Sequence, residues 1–163
     1  HLAIGDAIAM TLQKVKGFTP LDFSKYHPSG NLGKKLTLTL NDLIDSNRKP
    51  LVEKSSSFLK IIDEISSNMY GATAVVEDNV IIGVVTDGDI RRIIEKKQNI
   101  ENISASDFMN KNPKIMTENT LAIKALIHMK ENRISQVLIT NNSNVYFGIV
   151  HVLDIIKEGV NNE

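Results

Sequence analysis

An internal repeat is the feature that most constrains how this chain can fold. The stretch GVVTDGD, which ends at Asp89, and the stretch GIVHVLD, which ends at Asp154, lie 65 residues apart. Asp42 in DLI and Asp107 in DFM recur at the same spacing. One unit of this length buries too little apolar surface alone, so the repeat predicts two copies of one supersecondary unit that pack as a pair.

Hydrophobic periodicity predicts the order strand, helix, strand, strand, helix in each copy. In the first copy these elements are 50–52, 57–68, 73–76, 80–85 and 88–97, with a hairpin turn at 78–79. In the second copy they are 113–116, 120–132, 136–140, 145–150 and 152–157, with a turn at 141–144. Strands interleaved with helices predict a mixed α/β (α+β) fold class.

The chain before the repeat has a different pattern. Residues 2–16 predict an amphipathic helix that ends near Gly17. The apolar positions of that helix are Leu2, Ile4, Ala7, Ile8, Leu12 and Val15. Residues 24–35 contain a proline and two glycines and predict a loop. A short alternating segment is expected at 36–40, and a turn or short helix at 41–44.

Charge and composition limit the partners that the chain can have. Its 19 basic and 19 acidic residues give a formal net charge of zero, which argues against a nucleic-acid partner held by bulk electrostatics. It has no cysteine, so disulfides and thiol chemistry are excluded. No run of about 18 apolar residues and no secretory signal pattern occurs, so we expect no membrane partner and a cytoplasmic location. Because the chain starts at His1, we expect a fragment or a tag remnant.

The corner where each buried strand turns into a helix has two readings. Thr86 and Asp89 have the spacing of a capping box, in which the acid only caps the helix. In the second copy His151 replaces the threonine, and histidine is not among the preferred N-cap residues. Asp154 nevertheless keeps its place, which suggests that the acid has a task of its own.

The binding of a nucleotide is one task that the chemistry of the corner would suit. A carboxylate at a helix N-terminus can accept hydrogen bonds from the two hydroxyls of a ribose, and neighbouring backbone N–H groups can hold a phosphate. Gly83 and Gly148 would let the backbone approach a ligand closely. Arg91 and Arg92 would either pair with phosphate or form a solvated helix face. The apolar segments Leu51-Val52 and Ile115-Met116 would flank a flat base.

These corners resemble those of CBS domains, whose pattern is G-h-h-T-x-x-D with h apolar. The resemblance covers residues 41–160 and implies a tandem pair, or Bateman module, with one domain at 41–103 and the other at 104–163. In that family the matched aspartate often binds the ribose of an adenine nucleotide in a cleft between the repeats. At the second corner His151 would contact phosphate or be a packed structural residue.

Residues 1–40 resemble the end of the sugar isomerase (SIS) domain of KpsF/GutQ-type D-arabinose 5-phosphate isomerases, which supply the Kdo precursor for lipopolysaccharide and capsule. The motifs that carry this are LAIGDA, GFT, DF and HPSGNLGK. By spacing alone, the last motif is an ordinary surface loop. The resemblance implies that His27 is a catalytic-site residue in the intact enzyme, where histidine suits proton transfer. Phosphate-binding loops and a catalytic Lys and Glu would lie upstream, so this chain alone is not expected to isomerise sugars.

The sequence therefore predicts a regulatory CBS pair that acts on its own upstream SIS domain and forms a homo-oligomer, a dimer of pairs within a tetrameric enzyme. An adenine nucleotide or CMP-Kdo is the expected ligand, and no cofactor is required. The alternative is a dimerisation module that binds nothing, in which the corner acids are only caps. Metal binding is not expected, because the histidines have no ligand spacing: His1, His27, His128 and His151.

Overall fold

A computed structural model describes residues 2–19, 22, 25–26, 30–96 and 100–160. Helices α1 (Leu2–Val15) and α2 (Asn31–Thr37) lie in the described part of the chain before the repeats. The first repeat contains β1 (Leu51–Glu53), α3 (Phe58–Asn68), β2 (Ala72–Glu77), β3 (Val80–Thr86) and α4 (Asp87–Glu95). After a short helix α5 (Ala105–Phe108), the second repeat contains β4 (Ile115–Thr117), α6 (Ala122–Asn132), β5 (Gln136–Thr140), β6 (Tyr146–His151) and α7 (Val152–Lys157). Single 3₁₀ turns lie at Leu40–Leu43 and Ile100–Asn102.

Each repeat forms a three-stranded sheet in which the middle strand is parallel to one neighbour and antiparallel to the other. The order is β1-β2-β3 in the first sheet and β4-β5-β6 in the second. The hairpin turn of the first repeat has positive φ at Asp78 and Asn79, as its sequence predicts. The predicted order of elements and the mixed α/β fold class are confirmed.

The helices of the repeats bury the faces that their periodicity predicts. Ser57 is the N-cap of helix α3, and its side chain accepts a hydrogen bond from the backbone N–H of Lys60. Buried side chains of α3 are Phe58, Ile61 and Ile65, and those of α6 are Ala122, Ala125, Leu126 and Met129. Both helices end at a residue with positive φ, Met69 and Arg133, so the chain turns back directly into the middle strand.

The predicted loop over 24–35 is wrong at its C-terminal end, because α2 begins at Asn31. Gly33 lowers intrinsic helix propensity, which is why the sequence suggested a loop. Tertiary contacts outweigh that preference: Lys34 forms a 2.8 Å ion pair with Glu158, which follows α7. The short helix is therefore anchored to the second repeat.

Two segments cross over between the repeats. The first, residues 38–44, is here called arm 1, and it packs on the second repeat although it precedes the first. The backbone N–H of Leu40 donates to Thr120 at 2.9 Å, and that of Ala122 donates to Leu38 at 2.8 Å. The Leu40 side chain is fully buried in the core of the second repeat.

The second segment, residues 103–110, is here called arm 2, and it packs on the first repeat. The N–H of Ala105 donates to Ser56 at 3.0 Å, and that of Phe58 donates to Ile103 at 3.2 Å. Ala105 is buried among Val52, Ile61 and Ile65. Each arm carries its own capping box, Thr39 with Asp42 and Ser104 with Asp107, which gives a structural reason for the recurrence of these two aspartates.

The arms explain the two glycines of the repeated motif. A Cβ on Gly83 would lie 2.6 Å from Sδ of Met109 in arm 2, and a Cβ on Gly148 would lie 2.9 Å from Cγ2 of Ile44 in arm 1. The expectation that these glycines bring the backbone close to a ligand is therefore corrected. They make room for one apolar side chain of the exchanged arm.

We expect Gly83→Ala to cost about 1–3 kcal/mol of stability, because the new methyl group overpacks the site under arm 2. The free energy of unfolding in urea measures this loss. Gly5→Ala is the matched control, because nothing lies within 4 Å of its Cβ and alanine favours a helix. The pair Gly83→Ala with Met109→Ala should lose less than the sum of the single changes, and strict additivity would contradict this account.

The two repeats meet through their sheets. Buried side chains from both halves form one cluster: Tyr70, Ala72, Ala74 and Val76 with Leu138, Tyr146 and Ile149. The Tyr146 hydroxyl donates to the Pro50 carbonyl at 2.8 Å, and the Tyr146 backbone donates to Asn79 at 2.8 Å. Burial raises the pKa of Tyr146, so the side chain stays neutral and apolar apart from its one hydrogen bond.

Candidate functional site

The first corner is a complete capping box. Oδ2 of Asp89 accepts from the Thr86 backbone at 2.9 Å and from its hydroxyl at 2.6 Å. The other carboxylate oxygen is paired with Arg92. Asp89 is therefore only 13% exposed, and a ribose could reach it only if the Arg92 side chain moved aside.

The second corner is also capped, which corrects the inference drawn from His151. Its ring Nδ1 accepts from the backbone of Leu153 at 3.2 Å, and Asp154 accepts from the His151 backbone at 3.0 Å. An unprotonated imidazole nitrogen is a hydrogen-bond acceptor, so histidine can perform the work of an N-cap hydroxyl here. The retention of Asp154 does not by itself indicate a ligand.

Two adjoining cavities lie between the repeats. The first, here called the apolar cleft, has a volume of about 170 Å³ and is lined by Val84, Ile134 and Leu138. Its polar rim includes Thr86, Asn110, Asn112, Lys114 and Gln136. An apolar slot with a few polar groups at its rim suits a flat ring with hydrogen-bonding edges.

The second space, here called the corner cavity, measures about 470 Å³ and is more polar. Both corners line it, because Thr86 comes from the first repeat and His151 from the second. Tyr70, Gly71, Asp87, Gly88 and Gln136 are also in its wall. Thr86 and Gln136 are shared with the apolar cleft, so one elongated molecule could extend through both spaces.

Charge distinguishes the two ends of this combined space. The Asp87 carboxylate lines the corner cavity and disfavours an anion beside it. Lys114 lies at the rim of the apolar cleft and supplies a positive charge to its lining. A phosphate is therefore expected near Lys114, away from Asp87.

Several predicted site residues take no part in lining these spaces. Arg91 is exposed, and Arg92 is engaged by Asp89. Val52 is buried in the core of the first repeat, and Met116 packs against the core of the second, so neither flanks the apolar cleft. His27 lies outside the described residues, so the structure has no bearing on its expected role.

The sequence analysis missed Asn110, Lys114, Ile134 and Gln136. They come from the end of arm 2, the residue before β4, the bend after α6 and the start of β5, all outside the first repeat. Only the pairing of the repeats brings them beside Thr86. No motif in the sequence marks them; the antiparallel bridge between Val84 and Asn110, which places arm 2 beside the corner, is visible only in the structure.

Among the described residues, no helix is long and apolar enough to span a membrane. Over the same ranges, no group of His, Cys, Asp and Glu side chains is placed to hold a metal ion.

Models of the CBS domain family match residues 39–96 and 105–161. The chain therefore belongs to the CBS domain family and carries two copies of the domain in tandem. The likeness to solved structures confirms the fold. A CBS domain protein from Pyrobaculum aerophilum, complexed with AMP, aligns with a TM-score of 0.65 at 17% identity over 72% of this chain and 89% of its own. CBSX2 in complex with AMP aligns with a TM-score of 0.62 at 18% identity over 74% and 95%.

Curated relatives point to one kind of parent protein. The chain is 38% identical over 157 residues to arabinose 5-phosphate isomerase KdsD of Francisella tularensis, covering 96% of this chain and 48% of that protein. It is 34% identical over 154 residues to arabinose 5-phosphate isomerase KpsF of Escherichia coli, covering 94% and 47%. The chain thus spans about half the length of the curated relatives it matches.

Proposed function

We propose that this chain is the regulatory part of an arabinose 5-phosphate isomerase and that it binds a nucleotide between its CBS repeats. The observation that carries the proposal is the apolar cleft beside the Thr86 corner, which continues into a polar cavity shared by both repeats. A base fits the first space and a phosphate the rim near Lys114. An adenine nucleotide is the first candidate, because two structural neighbours contain AMP. CMP-Kdo is the second candidate, as an end product of the proposed pathway.

The parent enzyme would interconvert ribulose 5-phosphate and arabinose 5-phosphate for Kdo synthesis in the cytoplasm. Residues 1–40 would be the end of its SIS domain, and His27 would belong to the catalytic site there. The exposed side chains of α1 support this assignment: Ile4 is 64% exposed and Val15 is 77% exposed. Apolar surface of this extent on one helix indicates a missing neighbour, for which we propose the upstream domain of the intact enzyme. The domain boundaries at 40 and 103 belong to this proposal.

A dimerisation module is the second candidate function. It is favoured by the fact that Asp89 and Asp154 both have partners within the chain, as pure caps would. In that case the cavities stay empty, and the role of the pair is to assemble the proposed dimer or tetramer. Light scattering of the chain with and without α1 would measure the contribution of the repeats to assembly.

The test of nucleotide binding uses two capping acids of the same kind. Asp89 and Asp107 form equivalent capping boxes, but only Asp89 lies at a corner beside the cleft. AMP at about 100 times its dissociation constant should add about 2.7 kcal/mol to the stability of the wild-type chain, a shift of several degrees in Tm. We expect Asp89→Ala to lose that shift and Asp107→Ala to keep it.

The same thermal measurement should include ADP, ATP, CMP, CMP-Kdo and arabinose 5-phosphate. A shift with one nucleotide that Asp89→Ala removes would identify the ligand. Equal shifts in Asp89→Ala and Asp107→Ala would assign both acids to capping alone and place the ligand elsewhere. No shift with any compound at millimolar concentration would contradict the proposal and leave dimerisation as the function.

A further inference from the structure

The apolar cleft has an equivalent position in the other half of the pair, and the two positions differ. Tyr70 in the first repeat corresponds to Ile134 in the second. Each directly follows the residue with positive φ that ends a helix, Met69 or Arg133, and strands β1 and β4 have equivalent registers. The corners correspond likewise, His151 to Thr86. The second cleft should therefore lie between Tyr70 and the His151 corner.

The loop that borders this second position is one residue longer than its counterpart. The backbone N–H of Asn47 donates to Oδ1 of Asp45 at 2.9 Å, and that of Asn112 donates to Oδ1 of Asn110 at 2.9 Å. The two turns therefore align 65 residues apart. The strands that follow align 64 residues apart. The extra residue falls within Arg48-Lys49, where the second repeat has only Pro113.

Arg48 uses this extra length to lie on the ring of Tyr70. Its guanidinium carbon is 4.5 Å from the ring centroid. Its Nε donates to the Asn68 carbonyl at 3.0 Å, and its Nη2 donates to the same oxygen. A planar guanidinium on an aromatic face occupies a slot of the thickness that a nucleobase needs.

The acid of the second corner lies close to this stack. Burial is the main cause that raises the pKa of Tyr70, Arg48 opposes the rise, and the charges of Asp154 and Asp45 add to it. Tyr70 is only 6% exposed and lines the corner cavity together with His151, so the stack adjoins the second corner. The guanidinium of Arg48 covers one face of the Tyr70 ring, whereas the corresponding Ile134 lines the apolar cleft.

We infer that the pair has one working cleft: a nucleotide binds between Thr86 and Ile134, while Arg48 stacked on Tyr70 closes the equivalent cleft beside His151. This inference rests on the proposed function, since it counts the nucleotides bound. It adds that the structure of the chain limits the number of bound nucleotides to one and that this nucleotide binds at the first corner.

Calorimetric titration of the whole chain with AMP tests the inference. The wild-type chain should bind one AMP, and Arg48→Ala should bind two. Lys124→Ala removes the same charge from an exposed position on α6 and should still bind one. In the Arg48→Ala background, Asp154→Ala should remove the second site and leave the first.

Each other outcome has a definite meaning. Two AMP per wild-type chain, or one AMP in Arg48→Ala, would overturn the closed cleft while leaving nucleotide binding intact. No AMP bound by either chain would exclude AMP as the ligand, and the titration is then repeated with the compound that raises the Tm; no binding of any compound would overturn the proposed function together with this inference. If Arg48→Ala does not fold, the NMR signal of the Arg48 Nε–H in the wild-type chain shows whether the second cleft stays closed. It should stay protected from solvent exchange at saturating AMP, and its loss of protection would place the ligand in the second cleft.

Discussion

Replacing Tyr146 by alanine should remove about 3–5 kcal/mol of stability, the largest loss expected from a single change in this chain. The side chain is only 2% exposed and lies between the two sheets. Its removal leaves a cavity at the contact between the repeats and deletes the hydrogen bond to Pro50. The free energy of unfolding in urea, followed by circular dichroism, measures the effect.

Tyr146→Phe separates the ring from the hydroxyl. The Pro50 carbonyl also accepts from the Ala74 backbone at 3.2 Å, so it keeps a partner when the hydroxyl is lost. We therefore expect this variant to lose only about 0.5–1.5 kcal/mol. If the two variants were equally destabilised, the hydrogen bond and not the packing of the ring would join the repeats.

Leu40→Ala should cost about 2–5 kcal/mol, because Leu40 is fully buried and its loss opens a cavity. Leu59→Ala is the matched control: Leu59 is 70% exposed on α3, and its truncation should change stability by less than about 0.5 kcal/mol. The part of the chain that is destabilised is the sharper test. Arm 1 packs on the second repeat, so hydrogen exchange should accelerate first in β5, β6 and α6. Faster exchange in β2 and β3 instead would contradict the crossover of the arms.

The sequence predicted the elements of each repeat because their signals are local. The continuous apolar run of β3, the helical spacing of Ile61 and Ile65, and the Asp78-Asn79 turn each depend on a few neighbouring residues. Pairing of the repeats also followed, because one unit alone cannot bury its apolar face. Helix α2 was missed because its stabilising partner, Glu158, is more than a hundred residues away.

The site was less predictable, because the contacts that define it join distant parts of the chain. The motif around Thr86 marked a corner that lines both cavities, yet the opposite wall at Ile134 and Gln136 carries no motif of its own. The glycines at 83 and 148 were assigned to a ligand, since a sequence cannot tell which neighbour needs the space of a missing side chain. The stack of Arg48 on Tyr70 depends on a one-residue difference in loop length, which becomes meaningful only when the two repeats are superposed.

The crossover of the arms has a consequence for how the protein is made. While the chain is being synthesised, the first repeat emerges with the Val52 and Ile61 face uncovered, because Ala105 and Met109 have not yet left the ribosome. Arm 1 has no packing partner until the second repeat has been synthesised. Neither repeat can complete its fold before the other, so a gene cut between them should yield two pieces that fold only when both are present. Unfolding of one repeat is then expected to unfold the other.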